Sequence, residues 1–140
     1  MTVLDTNVVW ALMQREADPA VVAWLDRQPS ESLWTTAVTV FEIRFGLELL
    51  ASGRRRRQLE DAFQRTIEED FQDRILSFDY DAATEAAIRS AQSRAAGKPL
   101  DIRDLEIAGI VAARRATLAT RNTRHFQDLG LELVDPWTSR

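Results

Sequence analysis

The opening residues Met1-Thr2-Val3-Leu4-Asp5-Thr6-Asn7-Val8-Val9-Trp10-Ala11-Leu12-Met13 decide the reading of the fold. Thr2, Val3 and Leu4 read as a short buried strand. The stretch from about Asn7 to Met13 reads as a helix. Between these two apolar runs stands Asp5. A carboxylate in that place is either the cap of the following helix or a group delivered beyond the carboxyl end of a strand.

Working outward, the same alternation recurs. Asp18-Pro19 places a cap and a first-turn proline ahead of a helix carrying Val21, Val22, Trp24 and Leu25, which Pro29 closes. Leu33 to Thr36 reads as a strand and Val38 to Leu50 as a helix stopped near Ser52-Gly53. Arg54 to Glu69 carries a further helical pattern, and Ile75-Leu76 a short strand. An alanine-rich helix begins at Asp79 or Asp81 and ends at Gly97, with Pro99 beyond it. Asp101 to Arg115 is helical, Thr117 to Thr120 a strand, and Leu131 to Val134 the last strand. Strands alternating with helices predict an α/β fold: a three-layer α/β/α sandwich around a mainly parallel sheet covered on both faces. With 140 residues and no linker or repeat, residues 1–140 read as one domain.

Composition narrows the chemistry. Hydrophobic residues make up 45% and charged residues 29%, enough for a core and unlike a disordered chain. The absence of cysteine excludes disulfides, thiolate nucleophiles and Cys-based zinc sites. The single histidine, His125, excludes a His-rich metal site. No apolar run approaches the ~18 residues of a membrane span, and no export signal is read at the N-terminus. The expected setting is the cytoplasm. With a formal net charge of −4 the chain as a whole does not attract polyanions, so nucleic-acid contacts would need local basic clusters.

Any catalysis must then rest on carboxylates. Stepping around the helix that holds Glu42 places Val38, Phe45 and Leu49 on one side of it, and Gly46 and Leu50 on the other. Glu42 is thus expected within an apolar arc, where a charge is costly unless paired with an arginine or bound to a metal. Asp104 shares its face with Ile107, Ala108 and Val111. It could also be the capping-box partner of Asp101. Three carboxylates on separate elements facing one rim would repel, and a divalent cation relieves that. Oxygen donors without Cys or His select Mg²⁺ or Mn²⁺. The strand at Thr117–Thr120 delivers Thr120, Arg121 and Asn122 to the same rim. Asn122 can offer an amide oxygen to the metal or form a turn, and Arg121 and Arg124 can hold phosphate or simply meet solvent. His125 reads as a loop residue. The run Arg54–Arg57 reads as solvated surface or as a guide for a polyanionic backbone.

The ordered set Leu4-Asp5-Thr6-Asn7, Thr39-Val40-Phe41-Glu42-Ile43-Arg44-Phe45-Gly46, Asp104-Leu105-Glu106-Ile107-Ala108-Gly109-Ile110, Ala119-Thr120-Arg121-Asn122 and Asp135-Pro136-Trp137 resembles PIN-domain proteins of the VapC toxin family, in their FitB-like branch. The resemblance implies a metal-dependent endoribonuclease restrained by a small VapB-like antitoxin. Asp5, Glu42 and Asp104 match the family's acidic triad, and Thr6 the hydroxyl residue beside the first acid. Asn122 stands where many members carry a fourth acid, and His125 where aspartate is frequent. A homodimer is expected, with RNA as substrate and DNA contacted only through the antitoxin. The antitoxin is expected on the N-terminal helices that carry Trp10 and Trp24.

The reaction so implied is phosphodiester hydrolysis by Mg²⁺- or Mn²⁺-activated water. One rival is a receiver-type signalling domain, which needs an adjacent acidic pair after its first strand. Another is a haloacid-type phosphatase, which needs an acid where Asn7 stands. A third is a catalytically weak chain that acts by binding its antitoxin.

Overall fold

The computed structural model describes residues 1–139. The strands are β1 (Thr2–Leu4), β2 (Leu33–Thr36), β3 (Ile75–Leu76), β4 (Thr117–Ala119) and β5 (Glu132–Val134). The helices are α1 (Thr6–Met13), α2 (Pro19–Asp26), α3 (Ala37–Glu48), α4 (Arg54–Arg65), α5 (Tyr80–Ala95), α6 (Ile102–Arg114) and the short α7 (Thr123–Phe126). The end of α4 widens into a π turn, Thr66–Asp70. The expected elements are all present, and α7 is added where the sequence suggested a loop.

Helix starts follow the local chemistry. Asp18, Thr36, Asp79 and Asp101 each accept a hydrogen bond from a backbone N–H of the first turn of α2, α3, α5 and α6. The Asp101 cap is made to the N–H of Arg103, and Asp104 takes no part in it, so the capping-box alternative for Asp104 is not realised.

The sheet runs β3-β2-β1-β4-β5, and every neighbouring pair is parallel. Period-two alternation divides its side chains between two cores. Leu4, Leu33 and Ala119 face a core with Val8, Val9, Ile43, Leu47 and Phe63. Val3 and Leu118 face another with Ile107, Ile110, Val111 and Phe126. Helices therefore cover both faces, which makes the three layers. α5 and α6 pack so closely that a Cβ at Gly109 would collide with the backbone carbonyl of Ala82 and with Ala86.

The strand order fixes where ligands can bind. The chain leaves β1 toward β2 and β3 on one side, then returns to β4 on the other. The crevice at that reversal lies beyond the carboxyl ends of β1 and β4, where open parallel sheets take their ligands. Asp5 follows β1 and Thr120 follows β4. No helix among the described residues is long and apolar enough to cross a membrane.

The apolar arc expected around Glu42 is only partly buried. Ile43 and Leu47 are in the core, but Phe45 and Leu49 face outward, together with Phe41. A helical pattern shows which residues share a face, not what covers it. Arg56, within the basic run, is fixed between helices: it pairs with Glu48 at 2.8 Å and Glu60 at 3.2 Å.

Candidate metal centre

Asp5, Glu42 and Asp104 line one cavity of about 600 Å³ at the sheet's reversal point, with Asn7, Arg121 and Asn122. The junction of β1 and α1 supplies Asp5, α3 supplies Glu42 and α6 supplies Asp104. Asp5 is 4% exposed and has donors on both oxygens. Its Oδ1 accepts from the Thr6 N–H at 2.8 Å, and its Oδ2 from the Thr120 hydroxyl at 2.7 Å. The cap and strand-end readings of Asp5 are thus both realised. Burial pushes its pKa upward, opposed by the bonds from Thr120 and Thr6, while Asp104 adds repulsion.

Thr6 joins two of the acids. Its backbone binds Asp5, while its hydroxyl donates to Glu42 Oε1 at 2.9 Å and lies 3.1 Å from the Thr39 hydroxyl. Thr39 in turn meets Thr36, so a buried line of hydroxyls runs beneath Glu42. Burial raises the Glu42 pKa; the Thr6 bond and Arg103 lower it, and Asp5 and Asp101 raise it. The arginine pairing that the sequence left open for Glu42 is realised: Arg103 Nη1 forms an ion pair with Glu42 Oε2 at 3.8 Å, at the rim of the cavity. Asp104 is raised by burial, lowered by His125, and raised by Asp101 and Glu42. His125 Nδ1 lies 3.5 Å from Asp104 Oδ2, so His125 approaches the centre from α7 instead of hanging in a loop.

Thr120 is the hub on the opposite side. Besides donating to Asp5, it accepts from the Asn122 N–H at 3.0 Å and from Asn7 Nδ2 at 3.3 Å. Asn7 also accepts from the Arg121 N–H at 3.2 Å and so ties α1 to the turn after β4. Asn7 and Thr39 are supports that sequence reading left without a role. Their signals were spacing: Asn7 two residues past Asp5, and Thr39 one turn before Glu42 on α3.

One expected site residue lies elsewhere. Arg124 lines a separate cavity of about 150 Å³, with Lys98 and Asp128, because the turn of α7 carries it away from the carboxylates. Trp10 and Trp137 pack against the core and also line the main cavity.

Does this donor set fit a metal? The three acids are raised in pKa and repel each other, the state that a cation relieves. Among the described residues no three His, Cys, Asp or Glu side chains form a ready-made chelate. The cup is therefore more open than the sequence suggested. Separated oxygen donors around a cavity with room for water fit a hard dication that keeps part of its hydration shell, the habit of Mg²⁺. An adjacent acidic pair after β1, which a receiver-type domain requires, is replaced by Asp5-Thr6.

Residues 2–131 match the family model of the PIN domain. The chain is similar to VapC ribonuclease Y4jK of Sinorhizobium fredii, 39% identical over 98% of each chain. It is 36% identical to Toxin FitB of Neisseria gonorrhoeae, over 98% of this chain and 99% of that one. Its fold superposes on a chain of the FitAB complex bound to an IR36 DNA fragment with a TM-score of 0.90, at 32% identity over 100% of this chain and 98% of that chain.

Proposed function

The chain belongs to the PIN-domain family, in its VapC and FitB branch, and on that premise we propose that it is a metal-dependent endoribonuclease, the toxin of a type II toxin–antitoxin pair. The observation that carries this reading is the gathering of Asp5, Glu42 and Asp104 from three elements around one cavity at the sheet's reversal point. Asp5, Glu42 and Asp104 would hold Mg²⁺ or Mn²⁺, with the Asn122 amide oxygen available beside them. When bound, the ion supplies an acidified water and a positive charge for the oxygens of the scissile phosphate.

The chain's own residues do the rest. The Thr6 hydroxyl favours the ionised form of Glu42 against burial and aims it, and Thr120 does the same for Asp5. Arg121, on the cavity wall, faces the phosphate and offsets its charge. Because water and not the neighbouring 2′-hydroxyl attacks, the products carry 5′-phosphate and 3′-hydroxyl ends. Single-stranded loops of structured RNA are the substrates such a cleft can admit.

The whole chain acts as one domain in the cytoplasm and pairs with a second copy. The exposed face of α3 supports pairing: Phe41 and Phe45 stack at 5.9 Å and Leu49 is 72% exposed beside them. A VapB-like antitoxin covers the N-terminal helices and carries any DNA contact; the similar FitAB assembly is one that binds DNA. His125 beside Asp104, in place of a further acid, favours one second reading: weak catalysis with antitoxin binding as the main activity.

One experiment separates these. Purified protein is incubated with total RNA, with Mg²⁺, with Mn²⁺ and with a chelator, and the new ends are mapped. Discrete metal-dependent cuts with 5′-phosphates are expected. RNA left intact under every metal condition would overturn the nuclease and leave the binding role.

A further inference from the structure

Gly46 sits inside α3, one turn beyond Glu42. Glycine is, after proline, the poorest residue for a helix interior. Two internal reasons could still place it there, and neither applies. Its backbone is not in the left-handed region, unlike Gly53, Gly97 and Gly130. A Cβ at Gly46 would meet no atom within 4 Å, whereas one at Gly109 would collide with α5. The chain's own packing needs Gly109 but not Gly46. The space that Gly46 leaves open belongs to the cavity of the carboxylates.

The acids line part of that cavity. One turn farther along α1 and α3 the lining turns to Trp10, Ala11 and Gly46, and Ile43 and Trp137 line the same cavity. Arg121 stands at the lip with its guanidinium carbon 4.8 Å from the Trp137 ring centroid. This stretch offers two indoles, that of Trp137 already stacked against Arg121, and few hydrogen-bonding side chains. It suits a flat ring held by stacking, while the adjoining cation suits a phosphate.

Resting on the nuclease reading above, we infer that the space opened by Gly46 in the cavity that Trp10 and Trp137 line is a nucleobase slot, which holds the unpaired base next to the scissile phosphate of an RNA strand. A phosphate at the carboxylates puts its neighbouring base one sugar away, in this stretch of the same cavity. The slot selects for an unstacked base and not for base identity, because its walls offer stacking and little hydrogen bonding. Trp10, Trp137 and Gly46 are positioning residues: they hold the strand so that the phosphate meets the acids.

The test uses the full chain, Gly46→Leu and Gly46→Ala, with two probes of equal charge: a short labelled mixed-sequence oligoribonucleotide and a base-free ribose-phosphate oligomer of the same length. Binding is read by anisotropy with Ca²⁺, and cleavage in parallel with Mn²⁺. The wild-type chain is expected to prefer the base-bearing strand by about tenfold to a hundredfold, the range of one stacked base. Gly46→Leu should erase most of that preference, leave base-free binding unchanged, and not lower the melting temperature. Gly46→Ala should act in the same direction more weakly, and it decides the matter if the leucine variant does not fold.

Equal preference in wild type and both variants overturns the slot. Base preference that depends on Gly46 without any cleavage supports the slot and sinks the nuclease. Cleavage without base preference does the reverse.

Discussion

Replacing Thr6 by valine isolates one interaction at the centre. The hydroxyl donates to Glu42 Oε1 at 2.9 Å and touches the Thr39 hydroxyl at 3.1 Å. The backbone bond from Thr6 to Asp5 survives the change, since it uses the N–H. Thr39 keeps Thr36 as a partner. Glu42 is 22% exposed at its side chain, so water can replace part of the lost bond. The fold should therefore lose only about 1 kcal/mol. The site loses more. Supports of metal ligands are worth about 10- to 100-fold in metal affinity or activity, roughly 1.4–2.7 kcal/mol.

The two effects also differ in their pH dependence. Thr6 holds the Glu42 pKa down against burial. Without it the carboxyl keeps its proton to higher pH, and the proton competes with the ion. Mn²⁺ titration calorimetry at stepped pH should show weaker binding in Thr6→Val, with its acid limb moved upward. Thr6→Ser, which keeps the hydroxyl, should restore both. Unchanged Mn²⁺ affinity in the valine variant at every pH, with RNA cleavage intact, would refute the idea that Thr6 tunes Glu42.

Glu42→Gln keeps an oxygen for Thr6 and should preserve the melting temperature, while metal-dependent RNA cleavage falls below detection in an end-mapping assay. The metal-free chain should become less stable as pH rises from about 4. Asp5, Glu42 and Asp104 all have raised pKa values, so the folded state retains protons that the unfolded chain has already released. Stability from these groups is then greatest at or below the ordinary carboxylate range and declines as pH climbs through the raised values. Thermal melts across pH with chelator should show that slope, and added Mg²⁺ should flatten it. Gly109→Ala forces a methyl group against the Ala82 carbonyl and should cost at least about 1–3 kcal/mol in denaturant unfolding. Phe41→Ser with Phe45→Ser should shift the chain from dimer to monomer in light scattering without lowering its melting temperature, because both rings are exposed.

What the sequence determined by itself was local. Asp18-Pro19 and Asp101 announce helix starts through hydrogen bonds made within three residues, and the structure has those caps. The runs at Thr2–Leu4, Leu33–Thr36 and Thr117–Ala119 carry the β pattern that parallel strands need, and the alternation with helices fixes the layers. The acids were visible as charges among apolar neighbours, which solvation physics makes conspicuous.

The tertiary structure decided what lies across each face. Phe45 and Leu49 belong to an apolar arc in sequence, yet among the described residues they stay exposed, Phe45 at 46% and Leu49 at 72%. Arg124 is one turn from Arg121 in sequence, yet the short α7 carries it to another cavity. Thr120 reaches Asp5 across 115 positions of chain, and Trp137 closes the cavity that Trp10 opens. Periodicity is a property of neighbours along the chain. Support of a buried carboxylate and the walls of a cavity are set by which distant segments the sheet order brings together.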